Sequence, residues 1–269
     1  MKHIMHLALL LLIVSCSQRI NPDLNSVLWV QTAAEYQAGC EQTYNSALLN
    51  VEAAIADNRW TGAIEQTNDF YELPPAVIFD IDETVLDNSP YQAQLALDDS
   101  RYQLDTWDQW VQMQSAKGIT GAVDFIHYIQ DQGIEVLFIT SRECRKRDTS
   151  LLPCPQESDT IENLKALGIF GITENNVLLK NEYMDWGSEK KSRREYITEK
   201  YRIIMIFGDD LGDFIPNVKK NITPDKRKEM ATIYKANWGT KWFIIPNPMY
   251  GSWQRILDSP QYQNVKGLF

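Results

Sequence analysis

"AVIFDIDETVLDNSPY", residues 76–91, decides how this chain is read. Ala76-Val77-Ile78-Phe79 is a short continuous apolar run, the pattern of a strand buried on both faces. Pro74-Pro75 in front of it stops whatever precedes. Asp80, Asp82 and Glu83 follow at once. Carboxylates crowded at the end of a buried element repel one another, and burying them is costly unless a cation or hydrogen-bond donors compensate. A lone Asp-x-Asp reads equally as a solvated loop or the first turn of a helix, where acids are favoured. The rest of the chain decides between the two.

Working outward, the periodicity alternates. Residues 24–57 carry apolar residues at helical spacing (Val27, Val30, Ala34; Ala47, Val51, Ala54), predicting one or two helices. Downstream, 106–117 and 122–133 read as helices, the second stopping on Gly133. Then come a strand over 134–140, a helix over 158–168 ending at Gly168 and a short strand over 175–180. A basic helix over 188–200, a buried strand over 201–210 and a last strand from 241 complete the pattern. Strands alternating with helices predict a Rossmann-like parallel sheet with helices on both faces, to which the N-terminal helices add a smaller helical subdomain. In such sheets the ligand site lies at the carboxyl ends of the strands. There stand Asp80, Asp82 and Glu83; Thr140, Ser141 and Arg142; Lys180; and Asp209, Asp210 and Asp213. Acids at two strand ends, a hydroxyl at a third and basic residues nearby form a constellation that chance rarely gives.

The 269 residues suffice for one large α/β domain with embellishments or for two small ones. A formal net charge of −10 lacks the basic footprint of a nucleic-acid binder, so no nucleic-acid polymer is expected as partner. Phosphorylated small molecules stay open, because a local cation can dominate a site. At the N-terminus, Lys2 and His3 precede an apolar run from Leu7 to Val14, too short to span a bilayer but of secretory-signal length. It ends in Ile13-Val14-Ser15-Cys16, which resembles the bacterial lipobox. On that resemblance Cys16 is acylated, anchoring the protein to a lipid bilayer of the bacterial envelope, the outer membrane being the expected site. The organisation then reads as a lipoprotein signal peptide over 1–15, an N-terminal helical segment over 16–73 and a catalytic core with helical insertions over 74–269. Export permits a disulfide, and Cys144 with Cys154, flanking a short polar loop, are the natural pair. Cys40 is left as a packed small hydrophobe.

The order of motifs resembles the haloacid dehalogenase (HAD) superfamily of phosphatases: "DIDET" (80–84), "FITSR" with Thr140, a lysine before the last motif, and "GDDLGD" with Asp209 and Asp213. "VLWVQTAAEYQA", "DETVLDNSPY", "SEKKSRR" and "IPNPMYGSW" narrow the likeness to the class C acid phosphatases, the outer-membrane lipoprotein e group of 5′-nucleotidases. The resemblance implies a magnesium-dependent acid phosphatase. Asp80 is its nucleophile, since a carboxylate is already ionised and can form an aspartyl-phosphate. Asp82 is its general acid and base. The ligands of Mg²⁺ would be Asp80, the Asp82 backbone carbonyl and Asp209, with Asp213 orienting them. Thr140 would bind the phosphate. Lys180, at a strand end, and Lys190, in the S-x-K-x-x-R pattern, compete for the same role, and the pattern favours Lys190. Lys191, Arg193 and Arg194 read as a solvated helix face, with helping to hold the acids as the alternative for Arg193. Asp210 stands where many relatives have Asn, next to the metal site or facing solvent. Tyr91, Trp107 and Tyr250 match family positions that sandwich a nucleobase, whereas Trp29, Trp60 and Trp242 read as core. The expected substrate is a nucleoside 5′-monophosphate. A broad phosphomonoesterase or phosphotransferase, or a lipid-anchored binding protein with a vestigial catalytic fold, is the alternative. A homodimer is an assembly the sequence allows.

Overall fold

The computed structural model describes residues 21, 23–67, 69–259 and 261–267. Cys16 and the leader therefore lie outside the described residues. In chain order the elements are α1 (Leu24–Thr32), α2 (Ala34–Ala56), β1 (Pro75–Phe79), β2 (Leu86–Asp87), α3 (Ser89–Leu97), α4 (Leu104–Met113) and β3 (Lys117–Gly118). They continue with α5 (Ala122–Asp131), β4 (Glu135–Glu143), α6 (Pro155–Ala166), β5 (Val177–Lys180), α7 (Lys191–Thr198) and β6 (Arg202–Gly208). α8 (Pro224–Ile233), β7 (Trp242–Ile244) and α9 (Ser252–Arg255) follow.

Five strands form one sheet in the order β5-β4-β1-β6-β7, and every pairing in it is parallel. Parallel pairs need crossovers, and the helices that supply them cover both faces. Alternation along β1 sorts the two faces. Val77 and Phe79 enter one apolar cluster with residues of α2 and α5. Ala76 and Ile78 enter the other, with Ile197 of α7, Phe214 and Trp242. On the first face Phe138, Phe79, Phe207 and Phe243 run across four strands, Phe79 lying 4.8 Å and Phe243 4.9 Å from Phe207 between ring centroids. Tyr44 of α2 stacks on Phe207 at 5.2 Å, and its hydroxyl donates to the Thr84 carbonyl at 2.7 Å. Thus α2 belongs to the sheet's own layer and steadies the loop that follows β1.

The smaller part is made by α1, α3 and α4: α1 packs on α3, and α4 packs on the crossover helix α6. α1 and α2 are two helices because Ala33 is extended (φ −81°, ψ 125°). β2 and β3 form a separate antiparallel pair. Several elements differ from the sequence reading, which had no helix between β2 and α4. The Ser89–Leu97 helix starts with Pro90 in its first turn, where proline's missing N–H is harmless. α6 begins at Pro155 rather than Ser158 for the same reason. α4 stops at Met113 because Gln114 turns left-handed (φ 52°) to donate to Asp159. Trp242 is fully buried, but Trp29 is 37% exposed, packed edge-on against Tyr36 rather than in the core. Trp60 is half-buried and donates its indole N–H to Ile204.

Candidate active site

Register builds the site. β1 pairs β6 with Phe79 opposite Phe207, and pairs β4 with Phe79 opposite Phe138. The residues that follow on the three strands are therefore Asp80, Gly208-Asp209 and Ile139-Thr140, which brings Asp80, Asp209 and Thr140 to the same end of the sheet. The Asp80 N–H donates to Phe207 O at 2.9 Å, so the ladder reaches the catalytic level. Gly208 is required here: a Cβ at that position would lie 2.3 Å from Asp213 Oδ2.

Asp80, Asp209 and Asp213 each present a carboxylate oxygen within 4.8 Å of the others. Lys190, only 3% exposed, donates to Asp80 and lies 2.7 Å from Asp213 Oδ1. Burial pushes Asp80 up to about 7; Lys190 opposes the rise, while Asp213 and Asp82 add to it. Asp209 is held well above the usual carboxylate range, chiefly by burial and then by Asp213 and Asp80, against a hydrogen bond from Asn247. Burial alone would lower Lys190, but Asp213 and Asp80 outweigh it and raise it. One ammonium among three enclosed carboxylates leaves net negative charge. An all-oxygen donor set of this kind suits a hard divalent cation. Lys180 stands apart, paired with Glu143.

Asp82 turns away from this cluster. Its Oδ1 accepts from Arg142 Nη2 (2.8 Å) and Nε (3.1 Å) and from Asn88 Nδ2 (3.0 Å). Thr140 Oγ1 is 3.5 Å from Oδ2 and accepts the Arg142 N–H at 3.0 Å. Glu83 sits between them in chain order with φ +60°, a left-handed conformation uncommon for its type. That turn sends its carboxyl inward, where it accepts the Asn88 N–H at 3.0 Å, and burial holds its pKa well up.

The arginines of α7 correct the solvated-face reading. Arg193 and Arg194 are fully buried, and Lys191 alone is exposed. Arg193 donates to the Thr140 and Leu178 carbonyls and to Gly187. Burial pulls its pKa down to about 10, although Asp80 opposes this. Arg194 donates to Asp213 O at 2.7 Å and pairs with Glu65 at 2.6 Å. Both arginines thus satisfy backbone carbonyls of the segments that carry the site, Arg193 that of Thr140 and Arg194 that of Asp213. The signal was in the sequence: Lys190, Arg193 and Arg194 fall at i, i+3 and i+4, one helix face. Asp210 does not face solvent. It accepts from Gly212 N (2.8 Å) and from Ser252 N and Oγ (both 2.7 Å) and meets Arg227 at 3.2 Å. Burial would raise it, but these partners hold it below its ordinary value.

Tyr91 and Trp107 lie together, 5.1 Å apart and edge-on at 68°, with Tyr102 beside them and the Arg142 guanidinium 5.8 Å from the Trp107 ring. Edge-on contact leaves no slot between the two rings, so the expected sandwich does not form here, and Tyr91 is buried with its hydroxyl on Thr106 at 2.9 Å; a base would meet the outer face of Trp107. Tyr250 is half-buried on another element, just past Asn247. α4, which carries Trp107, is fastened from the loop after β4: Arg145 reaches Asp105 (2.9 Å), and Arg147 reaches Asp108 and Asp159 (both 2.8 Å). A disulfide joins Cys144 to Cys154 across that loop, and Cys40 is free and buried.

Similarity to known proteins follows the same geometry. Residues 3–253 match the family model of the HAD superfamily, subfamily IIIB (acid phosphatase). The structure is similar to that of the class C acid phosphatase from Bacillus anthracis: 31% identity, TM-score 0.77, covering 93% of this chain and 99% of that one. A second structure of that enzyme, with tungstate bound, matches at 30% identity and the same TM-score. Acid phosphatase 1 of Solanum lycopersicum is 26% identical over 180 residues, and the stem 31 kDa glycoprotein of Glycine max 27% over 177. The matched stretch takes in 57% and 58% of those plant chains.

The enclosed carboxylates carry a stability test. Asp80 and Asp209 are raised on folding, so the folded protein holds more protons than the unfolded chain between the ordinary carboxylate range and about pH 7. Stability of chelator-treated protein should therefore fall as pH rises through that window. Near this size ~1 kcal/mol moves Tm by roughly 2–4 °C, so a loss of several degrees is expected. Asp209→Asn should flatten the slope, and Mg²⁺ should restore Tm in the parent but not in Asp209→Asn. A Tm that rises with pH in both chelated proteins would contradict this.

Proposed function

This chain belongs to subfamily IIIB of the HAD superfamily, the acid phosphatases, and on that premise we propose that it hydrolyses nucleoside 5′-monophosphates through an aspartyl-phosphate on Asp80. The observation that carries the proposal is the pairing of two acids with two environments. Asp80 lies among carboxylates with Lys190, and Asp82 is held apart by Arg142 and Asn88. A tungstate-bound relative supports an oxyanion site in this fold.

An Asp80 oxygen attacks phosphorus in line as the phosphorus–oxygen bond to the leaving group breaks. Asp82 gives a proton to the departing oxygen, then takes one from the water that attacks the aspartyl-phosphate, releasing inorganic phosphate and free Asp80. Lys190 and the Thr140 hydroxyl hold the phosphoryl oxygens. Magnesium bound by Asp80, Asp209 and the Asp82 carbonyl, with Asp213 orienting them, would supply charge against the incoming dianion. The base rests on Trp107, which the buried Tyr91 backs, with Tyr250 bordering the site. Anchorage through an acylated Cys16 keeps the enzyme on the bacterial envelope, in the outer membrane. Among the described residues no helix is long and apolar enough to cross a membrane.

Asp80→Asn should abolish turnover of every ester while keeping its fold by circular dichroism, since an amide cannot attack phosphorus; substantial residual turnover would sink the nucleophile assignment. Trp107→Ala should raise KM for nucleotides roughly 5- to 150-fold, the worth of ~1–3 kcal/mol of stacking, with little change in kcat. A small ester lacking a base should be hydrolysed almost normally. An equal defect on both substrates would make Trp107 a packing residue and the enzyme a broad phosphomonoesterase. For the anchor, Cys16→Ser should leave the membrane fraction or persist as precursor; a membrane-bound, acylated Cys16→Ser protein would contradict it.

A further inference from the structure

Asn88 lies in the stretch that ends "LDNSPY", and neither the metal cluster nor the phosphate-binding groups use it. It is fully buried, and its polar atoms are all engaged. Its amide nitrogen faces three acceptors: Asp82 Oδ1 at 3.0 Å, the Leu86 carbonyl at 3.2 Å and Glu83 Oε2 at 3.4 Å. Its amide oxygen accepts the indole N–H of Trp110 at 2.7 Å, and an indole nitrogen can only donate. A side-chain flip would set an N–H against the indole N–H and an oxygen against acceptors. The orientation of the Asn88 amide is therefore fixed by chemistry.

The consequence falls on Asp82. Its Oδ1 already receives three N–H donors, one from Asn88 and two from Arg142. An oxygen so occupied has no lone pair left to carry a proton. Oδ2 has only Arg142 Nε at 3.3 Å and the Thr140 hydroxyl at 3.5 Å, both at the long limit of hydrogen bonding.

We propose that Asn88, locked by Trp110 of α4, is a positioning residue for the leaving-group step: it pins Oδ1 of Asp82 so that Oδ2 is the oxygen that meets the departing ester oxygen. This rests on the acid–base reading of Asp82 given above. It also ties the reaction to α4, the helix that bears Trp107, since the indole anchoring Asn88 lies one turn further along.

The test is leaving-group dependence in Asn88→Ala and Trp110→Phe, read as kcat/KM. That parameter reports the steps up to aspartyl-phosphate formation, so the later use of Asp82 as a base does not enter. β-Glycerol phosphate needs its leaving oxygen protonated, p-nitrophenyl phosphate does not, and neither carries a base to bind Trp107. Asn88→Ala should lose about 10- to 100-fold on the first, within the 10²–10⁴ that general acid catalysis supplies, and less than about threefold on the second. Trp110→Phe should show the same split, smaller in size. A defect equal on both esters, or none on either, would overturn the positioning role. Should Asn88→Ala fail to fold by thermal melting, Trp110→Phe decides by the same split. Parent protein inert towards both esters would overturn the reading of the site and this inference with it.

Discussion

A buried ammonium between two buried carboxylates, Lys190 between Asp80 and Asp213, is the contact on which the arrangement turns. Buried ion pairs are weak evidence for stability, because desolvation can exceed the Coulombic gain. Here the cluster also holds Asp209, so its charge is not balanced by protein groups alone. Such a cluster survives only if the backbone carrying it is over-determined, and the structure supplies that in layers. The β1–β6 ladder extends to the Asp80 N–H. Asp213 is gripped through its carbonyl by Arg194 and through Oδ2 by the Asp210 N–H. Gly208 leaves the room that this approach needs.

A second constraint works from the other side. On the roles proposed above, the acid that serves the leaving group cannot share the environment of the nucleophile, or like charges would act on both. Arg142 and Asn88 draw Asp82 out of the carboxylate cluster, and each touches α4, one beneath Trp107 and the other under Trp110. α4 in turn is clamped by Arg145 and Arg147 from the loop that the Cys144–Cys154 disulfide closes. Asp82 and Trp107 thus share one rigid support, which on the proposed roles would link recognition of the ester's organic part to the step that releases it.

The parallel sheet, and the gathering of Asp80, Thr140, Asp209 and Asp213 at one end of it, were legible because they rest on period and order, whereas Lys190 was read from a family pattern against the strand-end Lys180. A buried run followed by acids marks a strand end whatever surrounds it. What escaped depends on which way a side chain turns. Arg193 and Arg194 read as a charged surface, since charge usually means solvent; their partners are carbonyls of Thr140, Leu178 and Asp213, which no pattern announces. Asp210 looked like surplus charge near the site and is a cap tied to Ser252 and Arg227. The Ser89–Leu97 helix was hidden because "NSPY" carries turn residues that serve equally as a helix start. Likewise, matching Tyr91, Trp107 and Tyr250 to a family pattern does not say that two of them meet edge-on while the third stands elsewhere.

The most direct measurement of the central claim is to quench a reacting mixture in acid, reduce it with borohydride and map the modified residue by peptide mass spectrometry. Borohydride converts an acyl phosphate to an alcohol, so a covalent phosphoryl group on Asp80 leaves homoserine at that position. The account predicts homoserine at residue 80 alone, at a level that depends on substrate. Modification at another carboxylate, or none while the ester is being turned over, would contradict it.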